Sequence, residues 1–415
     1  MRQKVYKILR TSIFKTLRIL WPKVCRYLKK GKKSVLMIRP DFHCSFFYRD
    51  ELRRNNWVAD IFVPSNYPKD LLYSSEDIIR PWKLFFGIYF FDKYINFLIN
   101  LFFIFLLVPR YQFVWYYGIS HNATFLEKKL EKLPFFGKGF LLDFTWAKLF
   151  NTKIIFSPSG CKDQALKEEF NSFEGGNVCG NCGYSEKCDD VINLQNLVSV
   201  HRYSNFSVGW DPFHFDRYNP RFFRYKSIDL RLWNPNISVP DQFVLPQSKS
   251  IRVLHSNYLK KSGRNHGGKN IKGSLHVESA IEALKADGYD IEYLNIQDVK
   301  SKDMKYIQIQ ADIVVDQLIY GWWGSTAVES MALGKPVICF LRPSWKKFFL
   351  NQFTEISQLP IVEANASNIY DVLKNLVTDA CFREQKGKDS RKFAEENFDP
   401  QKNVFGFTKI LEQIF

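Results

Sequence analysis

The stretch that decides the fold runs from Ala311 to Phe340, ADIVVDQLIYGWWGSTAVESMALGKPVICF. Its opening is a short apolar, β-branched run that reads as a buried strand over Asp312–Gln317. A loop carrying Gly321 and Gly324 follows, and a helix over Thr326–Leu333 opens at Ser325-Thr326. Gly334-Lys335-Pro336 stops that helix, and a second buried strand occupies Pro336–Phe340. Glycines let a backbone approach a ligand. A helix N-terminus adds free amides and the positive end of a dipole, a combination that favours a phosphate or diphosphate. Glu329, one turn into the helix, brings a carboxylate beside such a ligand, and a carboxylate can accept two hydrogen bonds from a pair of ribose hydroxyls.

Outward from this stretch the alternation is regular. Towards the N-terminus lie a strand at Ile251–His255, a helix at Ser274–Asp287, a strand at Asp290–Ile296 and a helix at Asp303–Gln310. Helices near Ala366–Thr378 and Ala380–Asn397 follow it, and an amphipathic helix over 399–415 closes the chain. Such alternation predicts a Rossmann-like domain over 251–398. Residues 236–250, rich in Pro, Asn, Ser and Gln, read as a linker. Before it, a strand at Lys33–Arg39, a helix through Arg53 and a strand at Trp57–Pro64 begin a second α/β domain spanning 34–235. Phe113–Tyr116 and Ile154–Phe156 are its further strands, and residues 176–190 form a Cys-rich loop within it.

The segment Glu329-Ser330-Met331-Ala332-Leu333-Gly334-Lys335-Pro336-Val337-Ile338 resembles the loop–helix motif of the GT-B-fold glycosyltransferases, in particular family 4. Ile228-Asp229-Leu230 with Trp233-Asn234-Pro235 is similar to the family's approach to the interdomain linker. Lys272-Gly273 is similar to the Lys-Gly pair that opens the first helix of its nucleotide domain. The resemblance covers residues 228 to 415. It implies a GT-B architecture, two Rossmann-like domains facing a central cleft, and transfer of a sugar from a nucleotide-sugar donor with retention of configuration. It also implies that no metal is required for catalysis. Lys272 and a preceding cation, Lys269 or Arg264, would then balance the donor diphosphate, and Glu329 would bind the ribose. The family's second Glu, eight residues before Glu329, is Gly321 here, so the donor sugar is expected to meet backbone amides of Trp323, Gly324 and Ser325, or the side chains of Asp316 and Tyr320, while the amides at Ser325-Thr326 stabilise the leaving diphosphate. A His at the end of the comparable N-terminal strand, Lys153–Phe156, is also missing; His43, His201, His214 and His255 remain, none in a matching place. The alternative reading is a non-catalytic GT-B-shaped scaffold or binding protein at a membrane.

The charge distribution suggests where the acceptor is found. The chain carries 59 Lys and Arg against 42 Asp and Glu, a net +17, yet residues 1–33 hold twelve of the cations and no acid. The remainder is nearly balanced, at 47 against 42, which argues against a nucleic-acid binder. On a helical wheel of residues 4–29, Val5, Leu9, Ile13, Leu17, Leu20, Val24 and Leu28 share one side, and Lys4, Lys7, Lys15, Arg18, Arg26 and Lys29 the other. This predicts a basic amphipathic helix on an anionic membrane surface, kinked at Pro22, with a helix packed on its own domain as the alternative. The acceptor is accordingly expected to be a lipid-linked or membrane-associated glycan, of the surface-polysaccharide, lipopolysaccharide or capsule kind. No apolar stretch with a small-residue cleavage site follows the tail, so the expected location is cytoplasmic, peripheral on the inner face of the cytoplasmic membrane. Residues 82–108 are the most apolar segment and read as a buried helix, or else as one dipping into a single leaflet. Cys179-x2-Cys182-x5-Cys188 has the spacing of a structural zinc knuckle, with Cys161, His201 or Asp189 as fourth ligand. Thiols in a loop, or a disulfide, are the alternatives there.

Overall fold

A computed structural model describes residues 30–31, 33–40, 43–65, 67, 72–81, 83, 85, 87, 89–118, 141–158, 167–172, 178–183, 185–208, 226–256, 270–295 and 299–413. The expected basic helix over 4–29 lies outside them. They fall into two compact units, one drawn from residues up to 158 and from 189–208, the other from 167–188 and from 226 onward. Residues 167–188, which the sequence reading placed with the first half, thus belong to the second unit.

The first unit is built on a five-stranded parallel sheet of β1 (Ser34–Ile38), β2 (Val58–Phe62), β3 (Phe113–Tyr117), β4 (Lys153–Ser157) and β5 (Phe206–Ser207), in the order β2-β1-β3-β4-β5. Its strands are almost entirely apolar because helices cover a parallel sheet on both faces. Leu36, Ile38, Val114, Tyr116, Ile154 and Phe156 pack with Phe144 of one helix and Ile104 of another into one core. The connecting helices are α1 (Cys44–Arg54), α2 (Tyr89–Leu107) and α3 (Leu142–Leu149), and α5 (Asp190–Tyr203) follows later in the chain. Helix α4 (Lys167–Ser172) is contributed to the other unit. The apolar segment 82–108 does form a helix, α2, but only one of its faces is buried.

The second unit repeats the plan. Strands β6 (Ile251–His255), β7 (Ile291–Leu294), β8 (Ile313–Val315), β9 (Val337–Cys339) and β10 (Val362–Glu363) pair in parallel, in the order β10-β9-β8-β6-β7. Helices α6 (Ser274–Ala286), α7 (Lys305–Gln308), α8 (Ser325–Ala332), α9 (Pro343–Gln352), α10 (Ile369–Thr378), α11 (Ala380–Asn397) and α12 (Pro400–Glu412) surround it. Helix α9 was not anticipated from the sequence. Both sheets share one topology, and the order reverses between the first and third strands of each. In open α/β sheets ligands bind outside the C-terminal strand ends at that switch point, here between β6 and β8. The segment read as a linker is pinned to this unit. The Phe243 ring stacks on Tyr306 at 5.3 Å, and Gln310 donates to the Phe243 carbonyl and accepts from the Leu245 amide, both at 2.8 Å.

Candidate functional site

At the switch point β6 ends in His255 and β8 runs into Asp316, both fully buried. The loop before α6 returns to the same place. Its Asn270 side-chain oxygen accepts from the Lys272 amide at 2.7 Å, and the Leu318 amide donates to the Lys272 carbonyl at 3.0 Å. Gly273 follows with φ +78°, and a Cβ there would lie 3.0 Å from Leu318 Cβ, so the turn needs glycine for both conformation and space. Lys272 Nζ donates to the Ser256 carbonyl at 3.0 Å and stands 3.4 Å from Asp316 Oδ1. The other Asp316 oxygen accepts the Gly324 amide. Asp316, expected as a contact to donor hydroxyls, also joins Lys272 to the glycine loop.

His255 serves the same scaffold. Its Nδ1 donates to the Val315 carbonyl at 2.9 Å, which fixes the tautomer, and its Nε2 accepts from Ser274 Oγ at 2.7 Å. Ser274 Oγ in turn accepts from Asn270 Nδ2 at 2.6 Å. Burial, aided by the Lys272 charge, lowers the imidazole to about 3, so the ring stays neutral and pins the loop. His43 is buried in the first unit, with its ring 5.4 Å from that of Phe47. His201 is exposed on α5, and His214 lies outside the described residues.

The glycine loop is shaped by a residue the sequence reading missed. Gly321 has φ +100°, and a Cβ there would sit 2.3 Å from Arg342 Cγ. Arg342 is fully buried beneath the loop, with Nε donating to the Tyr320 carbonyl at 3.0 Å and its amide to the Gly321 carbonyl at 2.9 Å. Its guanidinium lies 5.4 Å from the Trp345 ring, a cation–π contact. The absence of a Glu at 321 therefore has a steric reason: the space a side chain would need is filled by Arg342. The Tyr320 ring sits 5.5 Å from Phe170 of α4 and 5.9 Å from Trp345. Trp323 stacks on Trp322 at 4.1 Å inside the core, leaving only its backbone for a ligand.

Helix α8 opens without a side-chain cap, since Gly324 stands at the N-cap in extended conformation. Its first intrahelical bond is Val328 N–H to the Gly324 carbonyl at 3.3 Å, which leaves the amides of Ser325, Thr326 and Ala327 for a ligand. A second cation stands here. Lys226, buried, has its Nζ 3.4 Å from Ser325 Oγ. Asn403 of α12 holds that segment, donating to the Lys226 carbonyl at 3.0 Å and to Ser227 Oγ at 2.9 Å. The available signal was its position three residues before Asp229 of the linker motif. Glu329, one turn along α8, is buried and accepts from Gln308 Nε2 at 2.8 Å. Burial raises its carboxyl to about 7, with Asp316 pushing the same way. The Gln308 hydrogen bond and the charges of Lys272 and Lys226 pull against it.

The fold thus brings together Lys272, Asp316, Tyr320, Gly324, Ser325, Thr326 and Glu329, and adds Lys226, Gln308 and Arg342. Lys269, Arg264 and Cys161 lie outside the described residues. The Cys-rich segment forms consecutive turns, with the Cys182 amide on the Cys179 carbonyl at 3.2 Å and the Cys188 amide on the Ser185 carbonyl at 3.3 Å. Among the described residues, which exclude Cys161, no three His, Cys, Asp or Glu side chains gather as a metal-ligand set. A cavity of about 570 Å³ lined by Lys335, Arg383, Lys388 and Arg391 lies at the opposite, N-terminal strand ends and contains no residue of this site.

No protein-family profile matches the sequence, and no curated protein matches it. Solved structures do. Sucrose-phosphate synthase from Thermosynechococcus elongatus superposes with a TM-score of 0.59 at 13% identity, covering 92% of this chain and 99% of that one. A glycosyltransferase from Rickettsia africae gives 0.56 at 12% identity, covering 92% and 99%. HepE from Anabaena, solved with UDP and glucose, gives 0.56 at 10% identity, covering 92% and 100%. The chain has the GT-B fold, with its candidate site on the second of two Rossmann-like units.

Proposed function

We propose that this chain is a glycosyltransferase that takes a sugar from a nucleotide-sugar donor. The observation that carries the reading is the grouping, at the switch point of the second sheet, of Lys272, Lys226, the uncapped start of α8 and the buried Glu329. Two ammonium groups and a helix N-terminus suit a diphosphate, and a carboxylate one turn along the helix suits the ribose hydroxyls. In the reaction the bond between the anomeric carbon and the diphosphate oxygen breaks, and its electron pair leaves with the nucleoside diphosphate. The acceptor hydroxyl oxygen forms the new bond, and its proton passes to a phosphate oxygen of the leaving group. Lys272, Lys226 and the Ser325–Ala327 amides stabilise the charge that develops on that group, the largest contribution such a site can make. Gln308 orients Glu329. The charge balance requires no metal. Retention of configuration, and a further cation at Lys269 or Arg264, belong to the same reading.

The acceptor is proposed to be a lipid-linked or membrane-associated glycan. Support comes from residues 1–33, whose twelve cations and lack of acids suit an anionic surface on the cytoplasmic side. No described helix is long and apolar enough to cross a membrane. One observation favours a second reading, a non-catalytic GT-B-shaped binding protein: Gly321 stands where the resemblance implies a Glu. Both readings are tested by a thermal-shift panel of UDP-, GDP-, ADP- and CMP-linked sugars, followed by assay of nucleotide release. A donor at about 100 times its Kd adds about 2.7 kcal/mol. A selective shift that Lys272→Ala abolishes, with release of the nucleotide, is the expected result. A shift without turnover selects the second reading as a binding protein, and no shift with any donor refutes the transferase and leaves a non-catalytic scaffold.

A further inference from the structure

Helix α2 is apolar on both sides: Leu101, Ile104 and Leu107 are buried, yet the opposite side is apolar too. A helix packed on a sheet normally buries its apolar side and shows water its polar one. Here Asp92, Asn96 and Asn100, spaced four apart, are on the buried side. Asn100 accepts from the Ser65 amide at 2.9 Å and Asn96 donates to the Asp92 carbonyl at 2.6 Å. The opposite side presents Leu98, Phe102 and Leu106, again spaced four apart, at 52%, 56% and 45% exposure. Phe85, just ahead of the helix, is 81% exposed. From Tyr94 to Pro109 the chain carries no charged residue. An unbroken apolar stripe of this kind on a helix in water marks a contact surface.

We infer that the outer stripe of α2 inserts into one leaflet of an anionic bilayer, lying in the membrane plane and sharing the contact with the basic N-terminal segment. The chain next to the stripe points to the occupant. The first described residue, Lys30, donates its amide to the Arg110 carbonyl at 2.9 Å, three residues beyond the last residue of α2. Residues 1–29, with nine Lys or Arg and no acid, therefore join the fold at the C-terminal end of this helix. The apolar stripe and the attachment point of the cationic segment thus adjoin, and apolar insertion paired with cationic attraction is what stable interfacial binding needs. A protein partner fits less well, because a stable interface engages about 20 residues a side and the stripe offers one narrow ridge. This inference rests on the membrane-surface part of the proposed function and is independent of the donor site.

The test uses the full chain, vesicles of equal parts phosphatidylcholine and phosphatidylglycerol, and vesicles of phosphatidylcholine alone. The variant is Leu98→Gln/Phe102→Gln/Leu106→Gln. All three positions are exposed, so its melting should match that of the wild type. Sedimentation with anionic vesicles should show the partition coefficient of the variant reduced on the order of 100-fold, from the loss of three half-exposed large side chains. The residual binding of the wild type to neutral vesicles should vanish. Equal binding of variant and wild type overturns the role of α2, and deletion of residues 1–29 then reports whether the tail alone binds. No wild-type binding to either vesicle overturns the membrane reading as a whole, while leaving the donor panel unaffected. A variant that binds vesicles normally but changes from dimer to monomer by light scattering assigns the stripe to a second copy instead.

Discussion

Replacing Glu329 by Gln probes the site through stability as well as binding. The carboxyl ordinarily titrates at 4.5, and burial lifts it to about 7 even against the pull of Gln308, Lys272 and Lys226. In the unfolded chain it returns to its ordinary value. Between those two values the folded state holds a proton that the unfolded state has released, so stability falls as the pH rises. The contribution is complete below pH 4.5 and is lost once the pH has passed about 7. A displacement of this size corresponds to about 3 kcal/mol. Glu329→Gln keeps an oxygen to accept from Gln308 Nε2 and cannot ionise. At about pH 8 it should be more stable than the wild type by about 3 kcal/mol, which raises the melting of the second unit by roughly 6–12 °C. At about pH 4.5 the two proteins should melt together. Calorimetry of both across that range, with and without a nucleotide sugar, is the assay. The same variant should bind the donor more weakly, because the ribose hydroxyls have lost a carboxylate acceptor. A variant that melts like the wild type at the higher pH, or that keeps one constant advantage at every pH, would refute a buried, strained carboxylate at this position.

Gly321→Ala should destabilise the second unit by about 3 kcal/mol, from the left-handed conformation and from contact with a buried Arg342 that has no room to turn away. Unchanged melting would mean that the loop does not pack on Arg342. Lys226→Met should leave melting near that of the wild type and weaken donor binding by about 10-fold, the usual loss for one charged hydrogen bond. An unchanged Kd in isothermal titration would place Lys226 outside the diphosphate site.

The motif from Ala311 to Phe340 was legible because each part has a local cause: apolar runs make the strands, glycines make the loop, and Pro336 ends the turn after α8. The parallel order of the second sheet follows from the regular alternation of elements around it. What the sequence did not disclose arrives from far along the chain. Lys226 stands 99 residues before its Ser325 partner, and Gln308 stands 21 before Glu329, inside a helix that looks ordinary in composition. Arg342 follows the motif by only two residues, yet its role depends on folding back beneath Gly321, which no local pattern encodes. The orientation of α2 was illegible for a related reason. The helix is apolar around most of its circumference, so periodicity does not single out the buried side, and the sheet decides it. Here Ser65 and the helix's own carbonyls satisfy Asn100 and Asn96, so these amides turn inward together with Ile104 and Leu107.

The geometry around Lys272 accounts for how an anion site can be prepared before its ligand arrives. A lysine facing a buried carboxylate could be neutralised by it, and a diphosphate would then gain little. The Lys272–Asp316 contact, at 3.4 Å, is long for a charge-assisted hydrogen bond, which settles near 2.8 Å. The reason lies in what else Asp316 does. One of its oxygens is drawn to the Gly324 amide and the Lys272 ammonium is drawn to the Ser256 carbonyl, so neither group is free to close on the other. The carboxylate therefore fixes where the ammonium sits and how the loop approaches α8. Replacing the carboxylate by an amide with Asp316→Asn would remove only the charge, and would leave the contact to the Gly324 amide in place. If the strut is the carboxylate's function, that variant should keep donor affinity within a few-fold while Lys272→Ala loses it, because the position of the ammonium, held also by Ser256, survives the first change and not the second.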